Sequence, residues 1–219
     1  MTQRDIKIDL LILEGTNFGS ERAPIDPQSS LLLIEKIMMN SEISLVTCHY
    51  LDLEFIVALC IIAKKLNFSI YLTSEIMAKM IKESNIDLSI SILEEFSDTP
   101  VFKLDSLEHA LEKNALIILS YFEIFDLIRK FEPENKYKKR MVSILTEPEP
   151  GKEEIFEYNM ASRWLSLYGI HPYRIRVSGH YYPFEIGEIL RLNKFKKILP
   201  IHTEHPDILL QYSAVDHHH

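Results

Sequence analysis

Residues 43–83 read ISLVTCHYLDLEFIVALCIIAKKLNFSIYLTSEIMAKMIKE, and the changes of pattern within them decide the fold. Ile43 to Cys48 is a short apolar run of strand length. Leu51 to Leu66 is strongly apolar and long enough to be a helix packed on a sheet. Phe68 to Leu72 repeats the strand pattern, and Ser74 to Glu83 reads as a helix with Ser74 as its N-cap. Strand, helix, strand, helix in immediate succession points to a parallel sheet, because parallel strands need a crossover connection and a helix usually supplies it.

The same alternation extends to both sides. Upstream, Ile6 to Leu13 reads as a buried strand and Pro27 to Met39 as a helix, with Pro27 in the first turn where its missing N–H costs nothing. Downstream, strands are expected at Val101 to Leu104, Ala115 to Leu119, Met141 to Leu145, Tyr173 to Val177 and Lys197 to Ile201. Helices are expected at Ser106 to Lys113, Glu157 to Leu167, Pro183 to Leu192 and Asp207 to Gln211. Glu132 to Tyr137 and Glu147 to Lys152 are polar, proline-containing loops. The fold class that follows is α/β, a doubly wound and mostly parallel sheet.

Composition narrows the function classes. At 219 residues, 47% hydrophobic and 26% charged, the chain has the makeup of a soluble globular protein. No apolar run reaches the roughly 18–20 residues that cross a bilayer, and MTQRDIKID has no secretory pattern. Cys48 and Cys60 stand in apolar surroundings at neither zinc nor redox spacing and read as core thiols, so a cytoplasmic protein is expected. The net charge of −8 does not mark a non-specific nucleic-acid binder. Two basic runs, Lys136 to Arg140 and Lys194 to Lys197, could touch a phosphate backbone, but read first as a solvated loop and a solvated helix end. Val215 to His219 resembles a tag remnant, and its histidines are set aside. His49, His109 and His171 show no ligand spacing, and the chain contains neither GxGxxG nor a P-loop.

Functional groups in open α/β sheets gather at the carboxyl ends of strands. Three segments put unusual polar residues there: LILEGTN, ending a strand with Glu14; VSGH, with His180; and LPIHTEHP, with His202. Each alone has an ordinary structural explanation, as a loop-capping carboxylate or a hydrogen-bonded histidine. Three acid and base groups at strand ends in one chain strengthen a site reading.

Those segments resemble the late motifs of metallo-β-lactamase-fold nucleases of the β-CASP group. LILEGTNFG is similar to the strand that delivers a Glu followed by a small residue and Thr, VSGHYYPFEI to the Ser-Gly-His motif, and KKILPIHTEHP to the closing strand. Residues 44–81 resemble part of that family's inserted cassette. The resemblance implies a metallo-β-lactamase-fold strand at 1–19, a β-CASP-type cassette at 20–176 and closing strands and helix at 177–212; the terminal histidines set residues 213–219 apart as the expected tag remnant.

It also implies roles. Glu14 and His180 would be catalytic, with Glu14 fixing the tautomer of His180 and His180 meeting the scissile phosphate. His202 would be one ligand of a two-zinc site, and Ser178, Gly179 and Thr203 would contact substrate. The activity implied is metal-dependent hydrolysis of RNA or single-stranded nucleic acid.

The departures are as informative. The family's HxHxDH ligands precede the strand matched by Glu14, and no HxHxDH occurs in this chain. Zinc sites use three or four protein ligands, so the chain alone is expected not to hold zinc tightly and to be inactive without an N-terminal metal-binding half, in cis or in trans. Leu53 follows Asp52 where many relatives carry Arg, and Tyr181 follows His180 where they carry a small residue. Tyr181 and Tyr182 are expected to be packing residues, with base stacking as the alternative. A rival reading makes the chain a non-catalytic nucleic-acid-binding or scaffold module derived from such a nuclease. A third is a flavodoxin-like small-molecule binder. Without a neighbouring half, the first and last strands would be left with uncovered apolar side chains, and self-association would follow.

Overall fold

The computed structural model describes residues 8–18, 25–84, 88–96, 104–131, 140–146, 155–175, 181–192 and 195–214. In chain order the elements are β1 (Ile8–Glu14), α1 (Pro27–Met39), β2 (Ile43–Thr47), α2 (Leu53–Lys65), β3 (Ser69–Leu72), α3 (Glu75–Glu83) and β4 (Ile90–Leu93). Next come β5 (Leu104–Asp105), α4 (Leu107–Glu112), β6 (Ala115–Leu119), α5 (Ile124–Arg129), β7 (Met141–Leu145) and α6 (Ile155–Leu167). The chain closes with β8 (His171–Arg174), α7 (Pro183–Leu192), β9 (Phe195–Ile201) and α8 (Pro206–Ala214). Two units divide them, Pro27–Val177 and the combination of Met1–Asp26 with Ser178–His219.

The larger unit is a seven-stranded sheet in the order β5-β4-β3-β6-β2-β7-β8, with every neighbouring pair parallel. β2 and β6 lie at its centre, and all residues of both are buried, as expected of parallel strands covered on two faces. Their side chains alternate between two cores. Leu116 and Ile118 of β6 join Val46 beneath α1, α2 and α3, packed by Ile34, Met38, Ile56, Leu59 and Met77. Ala115, Ile117 and Leu119 join Ile43 and Leu45 on the opposite face, packed by Leu111 of α4, Leu127 and Ile128 of α5 and Leu165 of α6. Helices on both faces of a parallel sheet make the fold a doubly wound α/β fold.

Local chemistry sets where the helices begin. The carboxylate of Asp52 accepts the Phe55 N–H at 3.2 Å at the start of α2. Ser74 Oγ accepts the Met77 N–H at 3.4 Å and Ser106 Oγ the His109 N–H at 3.2 Å, starting α3 and α4.

Two elements of this unit are not foreseen in the sequence. β4 has only four residues and carries Ser91 inside it, so its apolar run is interrupted although Ser91 is buried. α5 is a six-residue helix following a 3-10 turn at Tyr121–Glu123, too short to display a full helical period. β8 also lies earlier than Tyr173 to Val177. It begins at His171 and contains Pro172, which is tolerated because β8 is the edge of the sheet. Of the strand expected at Val101 to Leu104 only its last residue is described, inside β5.

In the smaller unit β1 and β9 form a two-stranded parallel sheet. One face is covered by α7 and α8, with Leu13, Ile186, Leu190 and Leu209 buried between them. The opposite face, with Leu10, Ile12, Leu199 and Ile201, is 38–56% exposed.

Candidate functional site

The carboxyl ends of β1 and β9 lie side by side. Glu14 is in register with Ile201, and the Gly15 N–H donates to the Ile201 carbonyl at 3.0 Å. His202 follows Ile201 directly, so Glu14 and His202 stand at one edge of the smaller unit although 188 positions of numbering separate them. Ser178, Gly179 and His180 lie outside the described residues, whereas Tyr181, which follows them, is described.

Gly15 is what lets the two strand ends close on each other. A Cβ there would meet Leu209 Cδ1 at 2.9 Å and Thr203 Cβ at 3.0 Å. Thr203, expected to contact substrate, uses its Oγ1 to accept the His205 N–H at 3.1 Å and so orders the turn before α8. His202 is exposed and has φ of 49°, the left-handed region that β-carbon-bearing residues avoid. That conformation turns the chain sharply between β9 and the Thr203 turn.

Glu14 has a job visible in its hydrogen bonds. Oε2 accepts the Thr16 N–H at 2.9 Å, and Oε1 accepts the Tyr181 N–H at 3.1 Å. Asn17, buried at 3% exposure, reaches the same peptide unit's neighbour from the other side, its Nδ2 donating to the Tyr181 carbonyl at 2.9 Å. Tyr181 is thus gripped through both of its backbone polar groups. Asn17 is a site residue that the sequence reading passed over. The available signal was an amide two residues beyond a strand end that carries a glycine, a pattern of tight turns with side-chain-to-backbone bonds.

The two adjacent tyrosines have opposite fates. Tyr182 is buried and its hydroxyl donates to the Ile25 carbonyl at 3.0 Å, so it is a packing residue. Tyr181 is 52% exposed, contrary to the expectation that both pack. Glu185 Oε2 accepts the Tyr182 N–H at 2.8 Å, satisfying a donor at the start of α7, and Pro183 occupies the first helical position.

The larger unit offers fewer available groups. At the carboxyl ends of its central strands, Thr146 Oγ1 donates to the Thr47 carbonyl and Thr73 Oγ1 to Glu123 Oε2 at 2.7 Å. The same Glu123 oxygen accepts the Ser120 N–H at 2.7 Å. His49 stacks on Tyr50 at 4.6 Å, and its Nδ1 accepts the Leu51 N–H at 3.3 Å. His109 lies between Asp105 and Glu112 on α4, and His171 meets the edge of Tyr173 on β8. Burial pushes the Cys60 thiol up to about 12, so it is protonated and inert as a nucleophile. Tyr71 is also pushed up to about 12, by burial first and then by the neighbouring Asp105 carboxylate, 3.3 Å from its hydroxyl.

A zinc site would need three or four ligands converging. Among the described residues no group of three or more His, Cys, Asp and Glu side chains lies close enough together to hold a metal ion. His202 is one ligand type at the edge, and Glu204 and His205 do not complete a set with it. The described residues therefore do not by themselves make up a metal centre; at this edge they orient the chain around Tyr181 and present His202. No helix among the described residues is long and apolar enough to cross a membrane.

No family model matches the chain. No curated protein matches it in sequence. Among solved structures the fold is similar to that of a protein of unknown function from Enterococcus faecalis V583, with a TM-score of 0.67 and 17% identity. The match covers 91% of this chain and 47% of the other, so the chain spans about half the length of the solved structure it resembles.

Proposed function

We propose that this chain is the C-terminal part of a metal-dependent phosphodiesterase of the metallo-β-lactamase superfamily, acting on RNA or single-stranded nucleic acid, and that its activity depends on an N-terminal metal-binding half supplied in cis or in trans. One observation carries the reading. β1 and β9 are a parallel pair whose second face, Leu10, Ile12, Leu199 and Ile201, is exposed, while at their carboxyl ends Glu14 is in register with Ile201, the residue before His202. Parallel strands occur almost only in sheets covered on both faces. An uncovered parallel pair carrying acid and base groups at its ends is what the reading requires of an edge completed by another domain.

In this role Glu14 does not touch substrate. It holds the peptide N–H of Tyr181, immediately after His180 in the chain, and so acts as a positioning group. His202 would present an imidazole to metal held chiefly by the other half. Burying an apolar side chain contributes about 1.5–3 kcal/mol, so the Leu10, Ile12, Leu199 and Ile201 face supplies a driving force for docking that half or, in its absence, for self-association.

The test is substitution in the joined protein, the chain together with a metallo-β-lactamase half that carries HxHxDH. His180→Ala is expected to abolish turnover of single-stranded RNA with little loss of bound zinc, and His202→Ala to lower both. Loss of zinc with His180→Ala, or full turnover in either variant, would overturn the assignment.

A further inference from the structure

We infer that Tyr181 is a stacking residue that binds a nucleobase of single-stranded RNA at the edge formed by β1, β9 and α7; the inference deepens the function proposed above and rests on it for the identity of the ligand.

Its backbone is held with unusual completeness for a residue with a solvent-facing ring. The N–H is bound by Glu14 at 3.1 Å and the carbonyl by Asn17 at 2.9 Å, two side chains more than 160 positions away in the chain. The next residue, Tyr182, is buried, anchored through its hydroxyl to Ile25, and followed by the first turn of α7. Ordering a backbone costs about 1–2 kcal/mol per residue. When core packing is the return, the aromatic ring goes inside, as that of Tyr182 does. The ring of Tyr181 stays 52% exposed. The clamp leaves it only its side-chain torsions, so a flat apolar surface is presented at low further entropy cost. That is a favourable arrangement for binding a planar ligand.

Phe184, on the first turn of α7 and 62% exposed, is a second exposed ring three positions further along the chain, its own ring 5.7 Å from that of Tyr182. Rings of this kind accept any base, because every base has a π-face, and each stack is worth about 1–3 kcal/mol. The choice of a nucleobase over another planar ligand comes from the neighbouring strand ends, where Glu14 and His202 stand on the side proposed to face a phosphodiester.

The experiment uses the chain without His217–His219, so that no terminal histidine contributes, and a fluorescent oligoadenylate RNA with an abasic strand of equal length as its control. Wild type is expected to bind the base-bearing strand about tenfold more tightly than the abasic one. Tyr181→Ala should lose that preference, and Tyr181→Phe should keep it. Because the ring is exposed, all three proteins should melt at similar temperatures. Equal affinity of wild type for the two strands, absence of binding, or an unchanged preference in Tyr181→Ala would each overturn the inference. These readings need no metal and no turnover. Failure here combined with RNA cleavage by the joined protein would leave the proposed function standing. Success here with no cleavage by the joined protein would remove the nuclease and leave the base-binding site.

Discussion

Glu14 accepts the backbone N–H of Tyr181 at 3.1 Å, joining the end of the first strand to the entry of α7 across 167 positions. The same carboxylate also accepts the Thr16 N–H, so both of these donors depend on one side chain. Replacing Glu14 by Ala removes this acceptor from both; with the Tyr181 bond exposed and the Thr16 bond half-buried, a cost of about 1 kcal/mol in stability is expected. Glu14→Gln keeps one acceptor oxygen and should lose less. Amide hydrogen exchange provides the specific readout. Tyr181 and Thr16 should exchange faster in Glu14→Ala while amides of β2 and β6 stay as protected as in wild type.

Gly15→Ala tests the closeness of the two strand ends. The new methyl would stand 3.0 Å from Thr203 Cβ, which cannot retreat without moving β9, and 2.9 Å from Leu209 Cδ1, which can rotate. A loss of about 1–3 kcal/mol is expected from overpacking, measured as a lower urea midpoint. An unchanged midpoint would mean that the contact relaxes freely.

His202→Gly should move stability the other way. The left-handed backbone at φ 49° suits glycine, and the exposed imidazole contributes no packing to lose. A gain of up to about 1 kcal/mol is expected, read as a higher melting temperature. A stability gain at the residue proposed to meet metal would be the usual sign of a position kept for function.

Ser143 lies buried in β7, and its hydroxyl has no hydrogen-bond partner among the described residues. Ser143→Ala removes a desolvated polar group from the second core without creating a large cavity. Melting should be unchanged or raised, with a gain on the order of 1 kcal/mol. A clear loss would show that the hydroxyl does have a partner in solution.

The raised pKa values give a pH test. Tyr71 titrates at about 12 in the folded protein against an ordinary 10, so the folded state resists losing its proton. The stability this represents is fully present below pH 10 and is lost as pH rises from 10 to 12. Unfolding midpoints should therefore fall over that interval, and the fall should be smaller in Tyr71→Phe. Over the same range the Cys60 thiol, raised to about 12 by burial, should stay unreactive toward thiol reagents until the protein unfolds.

The doubly wound sheet was legible in the sequence because parallel strands are covered on both faces and announce themselves as unbroken apolar runs. Ile43–Thr47 and Ala115–Leu119 are the clearest, and both lie at the centre of the sheet. β4 and α5 were not legible, since Ser91 interrupts one and six residues are too few to display the period of the other. At the site, the strand-end position of Glu14 and His202 followed from local pattern. The bonds from Asn17 and Glu14 to Tyr181 did not, because they join residues distant in sequence through backbone groups that carry no residue-specific mark. The split between a buried Tyr182 and an exposed Tyr181 belongs to the same class, decided by which residue meets Ile25.

The most direct test of the central claim is cleavage of single-stranded RNA, with bound zinc counted in the same samples, by the chain without His217–His219 alone and after joining it to a metallo-β-lactamase half bearing HxHxDH. The account predicts no cleavage and less than one zinc per chain for the isolated protein, and both activity and two zinc ions for the joined one. Two zinc ions or RNA cleavage in the isolated chain would contradict it, as would a joined protein that binds zinc and cleaves nothing.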